Sequence, residues 1–192
     1  NKQINSSTQI CNNLNILDVG CGGGLLCEPL SRLGGNVTGI DVSENAIITA
    51  KQHASKMGLK INYICTSLEE LNLKKDFDLI IASEVIEHVL DRKYFLKMIR
   101  KISSNKTSFI FTTINKSIPS LLFGKFAAEY ILNLIPKGTH DWEKFVTPQK
   151  LYLEALENGI YLNNFSGLTP NFFNKEFNLT SYLGINYAAS GI

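Results

Sequence analysis

Two stretches of this chain carry residues whose types and spacing could do chemistry around a bound ligand. In "ILDVGCGGG" (16–24), a short apolar run ends at Asp18 and is followed by Gly20, Gly22, Gly23 and Gly24. Glycines at such a place let the backbone bend through left-handed conformations and let a ligand approach closely. The run falls short of the dinucleotide fingerprint G-x-G-x-x-G, because Leu25 stands where the third glycine would be. Asp41 ends the next apolar run, "NVTGID" (36–41). A carboxylate at a strand tip, about twenty residues beyond the first glycine, can accept the hydroxyls of a ribose. Asp18, just before the first glycine, suits a ligand carrying a positive amine better than one carrying phosphates.

The second stretch is "SEVIEHV" (83–89), with Glu84, Glu87 and His88 at i, i+3 and i+4. A helix starting here puts all three on one face. Two hard oxygens and one imidazole nitrogen suit Mg²⁺ or, less specifically, Zn²⁺. Acidic residues in a first helical turn also favour the helix dipole, so the same pattern can be purely structural. Farther on, "KGTHDW" offers His140 as a general base with Asp141 orienting it, or the two as a loop-capping pair. His53, on a polar helix face, reads as solvated.

These residues need elements to position them. "NILDVG" is a buried strand, and "GLLCEPLSRLG" follows with helical spacing at Leu25, Leu26, Leu30 and Leu33. Ser43 caps the amphipathic helix "ENAIITAKQHASKMG", which Gly58 stops. Strands are expected at 61–65, 77–83 and 107–114, with a helix over 91–102 between the last two. A helix over 147–159 leads to strands at 160–168 and 181–189. Strands alternating with helices imply right-handed crossovers. The fold class is therefore α/β: a Rossmann-like, doubly wound, mostly parallel sheet of seven strands with helices on both faces. Residues 1–192 read as one domain, and the alternation is broken at 115–146 by a helical insertion. Connections of that length are usually functional.

Composition excludes several classes. Hydrophobic residues make up 44% and charged residues 19%, as in an ordinary globular domain, and the net charge of +2 is too small for nucleic-acid binding by bulk electrostatics. The four cysteines show no C-x-x-C spacing, so reduced thiols in the cytoplasm are expected. No apolar run is long enough to span a bilayer.

The pattern D-x-G-x-G-x-G, with Asp41 ending the next strand, resembles the first motif and following acidic site of class I S-adenosylmethionine-dependent methyltransferases. That resemblance implies S-adenosylmethionine as cofactor, held by Asp18, Gly20, Gly22 and Asp41. It implies Ser67 and Leu68 at the adenine, with Ser83 and Glu84 near the reacting methyl group. The signature of amino-methyltransferases at the fourth strand, Asn or Asp followed by Pro-Pro-aromatic, is replaced by "ASEV", which disfavours methylation of a base amine.

"LDVGCGGGLL", "ASEVIEHV" and above all "AAEYILNLIPKGTHDWEKFVTP" are similar to the ubiquinone-biosynthesis O-methyltransferases, over a likeness running from about residue 14 to the end. This family implies methyl transfer to a ring hydroxyl of polyprenylated catechols, of the 2-polyprenyl-6-hydroxyphenol and 3-demethylubiquinol type. It implies Glu84, Glu87 and His88 as ligands of Mg²⁺ or another divalent cation; beside that, Glu84 and the candidate base His140 are expected to be the catalytic residues. A further cofactor-contacting Arg of the family lies in an amino-terminal segment that this chain, beginning at Asn1, is expected to lack. The implied partners are the polyprenylated catechol, other ubiquinone-biosynthesis proteins and a membrane surface, with no nucleic acid.

Such a substrate lives in the bilayer. The insertion, read as a helix from Pro119, carries Lys125, Glu129 and Asn133 on one narrow stripe, with apolar residues such as Phe123 and Phe126 covering the rest. That face suits either a peripheral position on the cytoplasmic side of the inner membrane or the covering of the sheet or acceptor pocket. Two other readings remain open: a class I methyltransferase acting on another small molecule, and a non-catalytic S-adenosylmethionine-binding protein.

Overall fold

The structure, a computed structural model, describes residues 9–71, 76–117, 120, 145–171 and 176–192. Its strands are β1 (Asn15–Val19), β2 (Asn36–Asp41), β3 (Asn62–Cys65), β4 (Leu79–Ser83), β5 (Ser108–Ile114), β6 (Leu162–Asn171), β7 (Glu176–Thr180) and β8 (Asn186–Gly191). Its helices are α1 (Cys27–Arg32), α2 (Glu44–Lys56), α3 (Arg92–Lys101) and α4 (Pro148–Glu157). The strands form one sheet in the order β3-β2-β1-β4-β5-β8-β6-β7. β1 pairs in parallel with β2 and with β4, and β2 in parallel with β3. β6 is antiparallel to both β7 and β8.

The α/β, Rossmann-like reading therefore stands, with eight strands among the described residues rather than seven. The additional strand is β7, which lies at the edge of the sheet and pairs with β6. "EFNLT" is too short and polar for its alternation to stand out, and its pairing is set by the antiparallel partner. The order reverses between β1 and β4, and ligands of open α/β sheets bind outside the carboxyl ends of the strands at such a reversal.

Local chemistry explains the helix ends. The Ser43 side chain accepts a hydrogen bond from Ala46 N and Gly58, at φ +66°, closes the turn after α2. Thr147 caps α4 from Lys150 N, with Pro148 in the first turn, where its missing N–H costs nothing. α1 begins only at Cys27, with Leu26 as an N-cap whose side chain has no atom that could accept a hydrogen bond. The predicted start near Leu25 is thus corrected: residues 22–26 are turns, and Leu25 is 89% exposed. The left-handed glycines hold the chain out of helical geometry until residue 26.

The described residues fall into two compact units, one from residues 1–83, 97–109 and 192, the other from 84–96 and 110–191. In the first, Ile16, Leu17, Val37, Ile40 and Ile80 are buried on the central strands. In the second, Phe111, Leu151, Ile160, Leu162 and Tyr187 are buried. Each such side chain stabilises by about 1.5–3 kcal/mol relative to exposure. Most of the insertion, including the predicted helix from Pro119, lies outside the described residues, as do His140 and Asp141. Among the described residues no helix is long and apolar enough to cross a membrane.

Candidate active site

The glycine turn follows β1 directly. Gly20, Gly22 and Gly24 have φ of +72°, +52° and +85°, a region that costs a residue with a Cβ about 1–2 kcal/mol. The backbone N–H groups of Gly20 and Cys21 both donate to Ile40 O, at 2.8 and 2.9 Å, tying the turn to β2. A Cβ on Gly22 or Gly23 would meet nothing within 4 Å, so the chain there faces open space. A Cβ on Gly24 would collide with the Tyr63 hydroxyl. The first part of the turn is open to a ligand and the last part is packed from beneath.

Asp41 joins the turn to the next helix. Its Oδ2 accepts from Gly22 N and its Oδ1 from Ser43 N, each at 2.8 Å. A carboxylate oxygen has room for a second donor, so both can still receive a hydroxyl. Sequence reasoning gave Asp41 only a ligand to hold; the structure adds the closing of the turn. Val42, beside it, is 75% exposed. An apolar side chain with no interior to fill, directly after a strand-end acid, is the signal that the sequence reading missed.

Asp18 is 2% exposed and its Oδ2 accepts from the Cys27 thiol at 3.2 Å. Burial pushes its carboxyl up to about 6; the Cys27 hydrogen bond opposes this and the Asp41 charge adds to it. Contact with Cys21, burial and Asp18 together raise the Cys27 thiol, keeping it protonated. All four cysteines are free thiols. Among the described residues the buried Tyr63 hydroxyl finds no well-formed hydrogen bond, only a weak contact with the Cys27 thiol.

Thr66 N donates to Asp41 O, extending the β2–β3 pairing to the loop that carries Ser67 and Leu68. Ser67 Oγ accepts from Glu70 N, capping a turn, and Leu68 is buried. Ser83 is half-buried at the end of β4. His53, read as solvated, pairs with Glu28 of α1.

In the second unit, residues 84–90 bend and turn without forming a helix, so the one-face arrangement that a helix starting here would give Glu84, Glu87 and His88 does not arise. The cause is Glu84 itself, at φ +54°, which no right-handed helix accommodates. His88 N closes a turn onto Val85 O, and α3 begins only after Asp91, whose side chain accepts from Tyr94 N. The two carboxylates still meet. Glu87 is 3% exposed and accepts from the Thr113 hydroxyl at 2.7 Å; Glu84 accepts from the Thr112 hydroxyl at 2.9 Å. Although Glu84 as a residue is exposed, its carboxyl is crowded enough that desolvation, and then the Glu87 charge, push it up to about 7 against the Thr112 hydrogen bond.

For a divalent cation, this donor set fits in its oxygens. Two carboxylates stand close together, and neither forms an ion pair with a basic side chain among the described residues. The imidazole does not join them: His88 is exposed, and among the described residues no three His, Cys, Asp or Glu side chains are grouped to hold a metal. Nearby, Arg92 grips Glu154 through two bonds of 2.9 and 3.1 Å. Thr112 and Thr113 were not singled out from sequence. A threonine on the inward side of an otherwise apolar strand, as Thr113 is in "SFIFTTI", is the available signal.

A methyltransferase domain model matches residues 17–111. The ubiquinone biosynthesis O-methyltransferase of Pelagibacter ubique (strain HTCC1062) is 42% identical over 185 residues, covering 96% of this chain and 77% of that protein. The chain belongs to the ubiquinone biosynthesis O-methyltransferase family. The relative of that name from Rickettsia prowazekii (strain Madrid E) is 40% identical, covering 97% of this chain and 74% of its own. Among solved structures, magnesium protoporphyrin IX methyltransferase from Synechocystis PCC 6803 with bound SAH matches with a TM-score of 0.71 at 19% identity, covering 96% of this chain and 76% of that one. That likeness concerns the fold. With the family and the domain together, the chain is an S-adenosylmethionine-dependent O-methyltransferase.

Proposed function

We propose that this O-methyltransferase acts on a ring hydroxyl of polyprenylated catechols, of the 2-polyprenyl-6-hydroxyphenol and 3-demethylubiquinol type. The observation that carries the reading is the pair Glu84–Glu87, two adjacent carboxylates without a basic partner among the described residues. Such a pair is suited to an acceptor oxygen that must lose a proton. On the donor side, Asp41 receives the ribose hydroxyls on the lone pairs that Gly22 and Ser43 leave, and Val42 lies against the adenine. Gly20 and Gly22 give the methionine portion room, and Ser67, Leu68 and Ser83 complete the donor's surroundings. Asp18 favours its ammonium electrostatically from beneath the turn.

The transfer forms a C–O bond at the methyl carbon and breaks the C–S bond, whose electron pair stays on sulfur to give S-adenosylhomocysteine. The hydroxyl proton goes to His140, oriented by Asp141; both roles rest on the sequence pattern alone. A divalent cation such as Mg²⁺, held by the carboxylates of Glu84 and Glu87, would lower the pKa of the ring hydroxyl. The chain's own task is then alignment of oxygen, carbon and sulfur, the chief demand of such a displacement. The insertion, with Phe123 and Phe126 on its apolar face, is the proposed contact with the inner membrane.

The test is incubation with labelled methyl donor and a short-chain prenyl catechol, with EDTA and then with Mg²⁺ restored. The expected result is a labelled methyl ether that disappears with chelator and returns with the ion. Donor binding with no product from any catechol overturns the substrate reading. Cosedimentation with anionic liposomes, weakened in Phe123→Asp, tests the membrane contact.

A further inference from the structure

Glu84 adopts a left-handed backbone at φ +54°, a conformation that persists in a residue with a Cβ only when its surroundings over-determine it. Thr112 supplies that constraint at both ends of the residue. The Glu84 N–H donates to Thr112 O at 3.0 Å and lies 3.2 Å from Thr112 Oγ1, while the Thr112 hydroxyl donates to Glu84 Oε1 at 2.9 Å. The next residue of β5 does the same for the other acid. Thr113, fully buried, donates its hydroxyl to Glu87 Oε2 at 2.7 Å. Two consecutive residues of one strand thus each hold one carboxylate, and each takes only one of its two oxygens.

We propose that Thr112 and Thr113 are positioning residues that hold Glu84 and Glu87 together as a preformed pair of oxygen ligands for a divalent cation. The inference rests on the cation reading given under the proposed function. Two like charges separate unless something fixes them, and a rotating glutamate side chain loses freedom when it binds. The threonine hydroxyls restrict both carboxylates before the ion arrives, and strand pairing fixes the threonines. Partners of this kind, behind the ligands, typically change metal affinity by about 10–100-fold when removed.

The experiment titrates Mn²⁺ into the whole protein, read by electron paramagnetic resonance of the free ion. It compares wild type with Thr112→Val, Thr112→Ser, Thr113→Val and Glu84→Gln. Each valine variant is expected to weaken Mn²⁺ by roughly tenfold or more, and Thr112→Ser, which keeps the hydroxyl, to stay near wild type. Affinity for S-adenosylmethionine should be unchanged in the threonine variants, which a merely unfolded variant would not show. Thr112 is half-buried, so Thr112→Val carries the test if Thr113→Val does not fold. Wild-type Mn²⁺ affinity in the folded valine variants overturns the positioning role and leaves the cation reading standing. No Mn²⁺ binding by wild type, or equal binding by Glu84→Gln, overturns the cation reading and the positioning role with it.

Discussion

The carboxylates at the glycine turn and those on the 84–90 turn are built by opposite means. Asp41 is held by backbone N–H groups of Gly22 and Ser43, donors that cannot rotate away from it. Glu84 and Glu87 are held by threonine hydroxyls, donors on a torsion, and they press on each other. Backbone donors fix a shape, so Asp41 is a geometric element whose charge has a permanent use. Hydroxyl donors leave a charge only partly satisfied, so the glutamate pair can respond to a proton or a cation. A third case, Glu154, shows the limit in which an Arg satisfies the charge completely.

That limit carries the largest expected effect. Removing Arg92 leaves Glu154 buried and unpaired, which should cost about 3–5 kcal/mol in urea unfolding of Arg92→Ala. Replacing both, as Arg92→Met with Glu154→Leu, should recover most of that loss, because two apolar groups have no charge to compensate. A loss below about 1 kcal/mol in the single variant breaks the contrast between compensated and uncompensated acids.

Asp18 gives the next effect, and its sign is opposite to that of a carboxylate in an ion pair. Its folded value, about 6, lies above the ordinary 3.8, with burial the main cause. As pH rises from 4 to 6 the unfolded chain gives up this proton while the folded chain keeps it, so stability falls across that window and is level above it. The gap is worth about 3 kcal/mol at most. The stability of wild type relative to Asp18→Asn should therefore decline between pH 4 and 6.5 in urea melts, and a flat difference would remove burial as the cause.

Asp41 comes third. Asp41→Ala removes a charge-assisted contact and should lower S-adenosylmethionine affinity by about 1.5–3 kcal/mol, at least tenfold. Asp41→Asn has one acceptor oxygen and cannot serve Gly22 and Ser43 together, so it should fall between. Equal calorimetric affinity for wild type and Asp41→Ala would sink the ribose assignment.

These acids also mark where sequence was legible and where it was not. Apolar periodicity and the cap at Ser43 placed β1, β2 and α2, because those signals are local. Asp41 stood out because strand tips in parallel sheets face ligands. The 84–90 segment misled, since i, i+3, i+4 spacing assumes a helix and the backbone of Glu84 turns left-handed under constraints from Thr112, 28 residues away. Thr112, Thr113 and the Arg92–Glu154 pair, 62 residues apart, act through partners that only tertiary structure brings near. β7 was missed for a local reason, its five residues being too short and polar to show an alternation.

The smallest effect sharpens the picture of the glycine turn itself. Among the described residues the buried Tyr63 hydroxyl has only the weak Cys27 thiol beside it, and a Cβ on Gly24 would fall upon it. Tyr63→Phe removes a desolvated, poorly satisfied hydroxyl and should stabilise by about 1 kcal/mol, or roughly 2–4 °C in melting temperature for a chain of this size. Gly24→Ala should destabilise for two reasons, its φ of +85° and that collision. Only the second depends on Tyr63. In the Phe background the nearest atom met by the new Cβ is a ring carbon at 3.0 Å, so Gly24→Ala should cost less there than in wild type. Gly22→Ala, whose Cβ meets nothing within 4 Å, should cost the same in both backgrounds. Additivity within about 0.3–0.5 kcal/mol for the Gly24–Tyr63 pair would mean that φ alone demands glycine at 24. Non-additivity there, with additivity at Gly22, would separate the part of the turn shaped by packing from the part left open for the ligand.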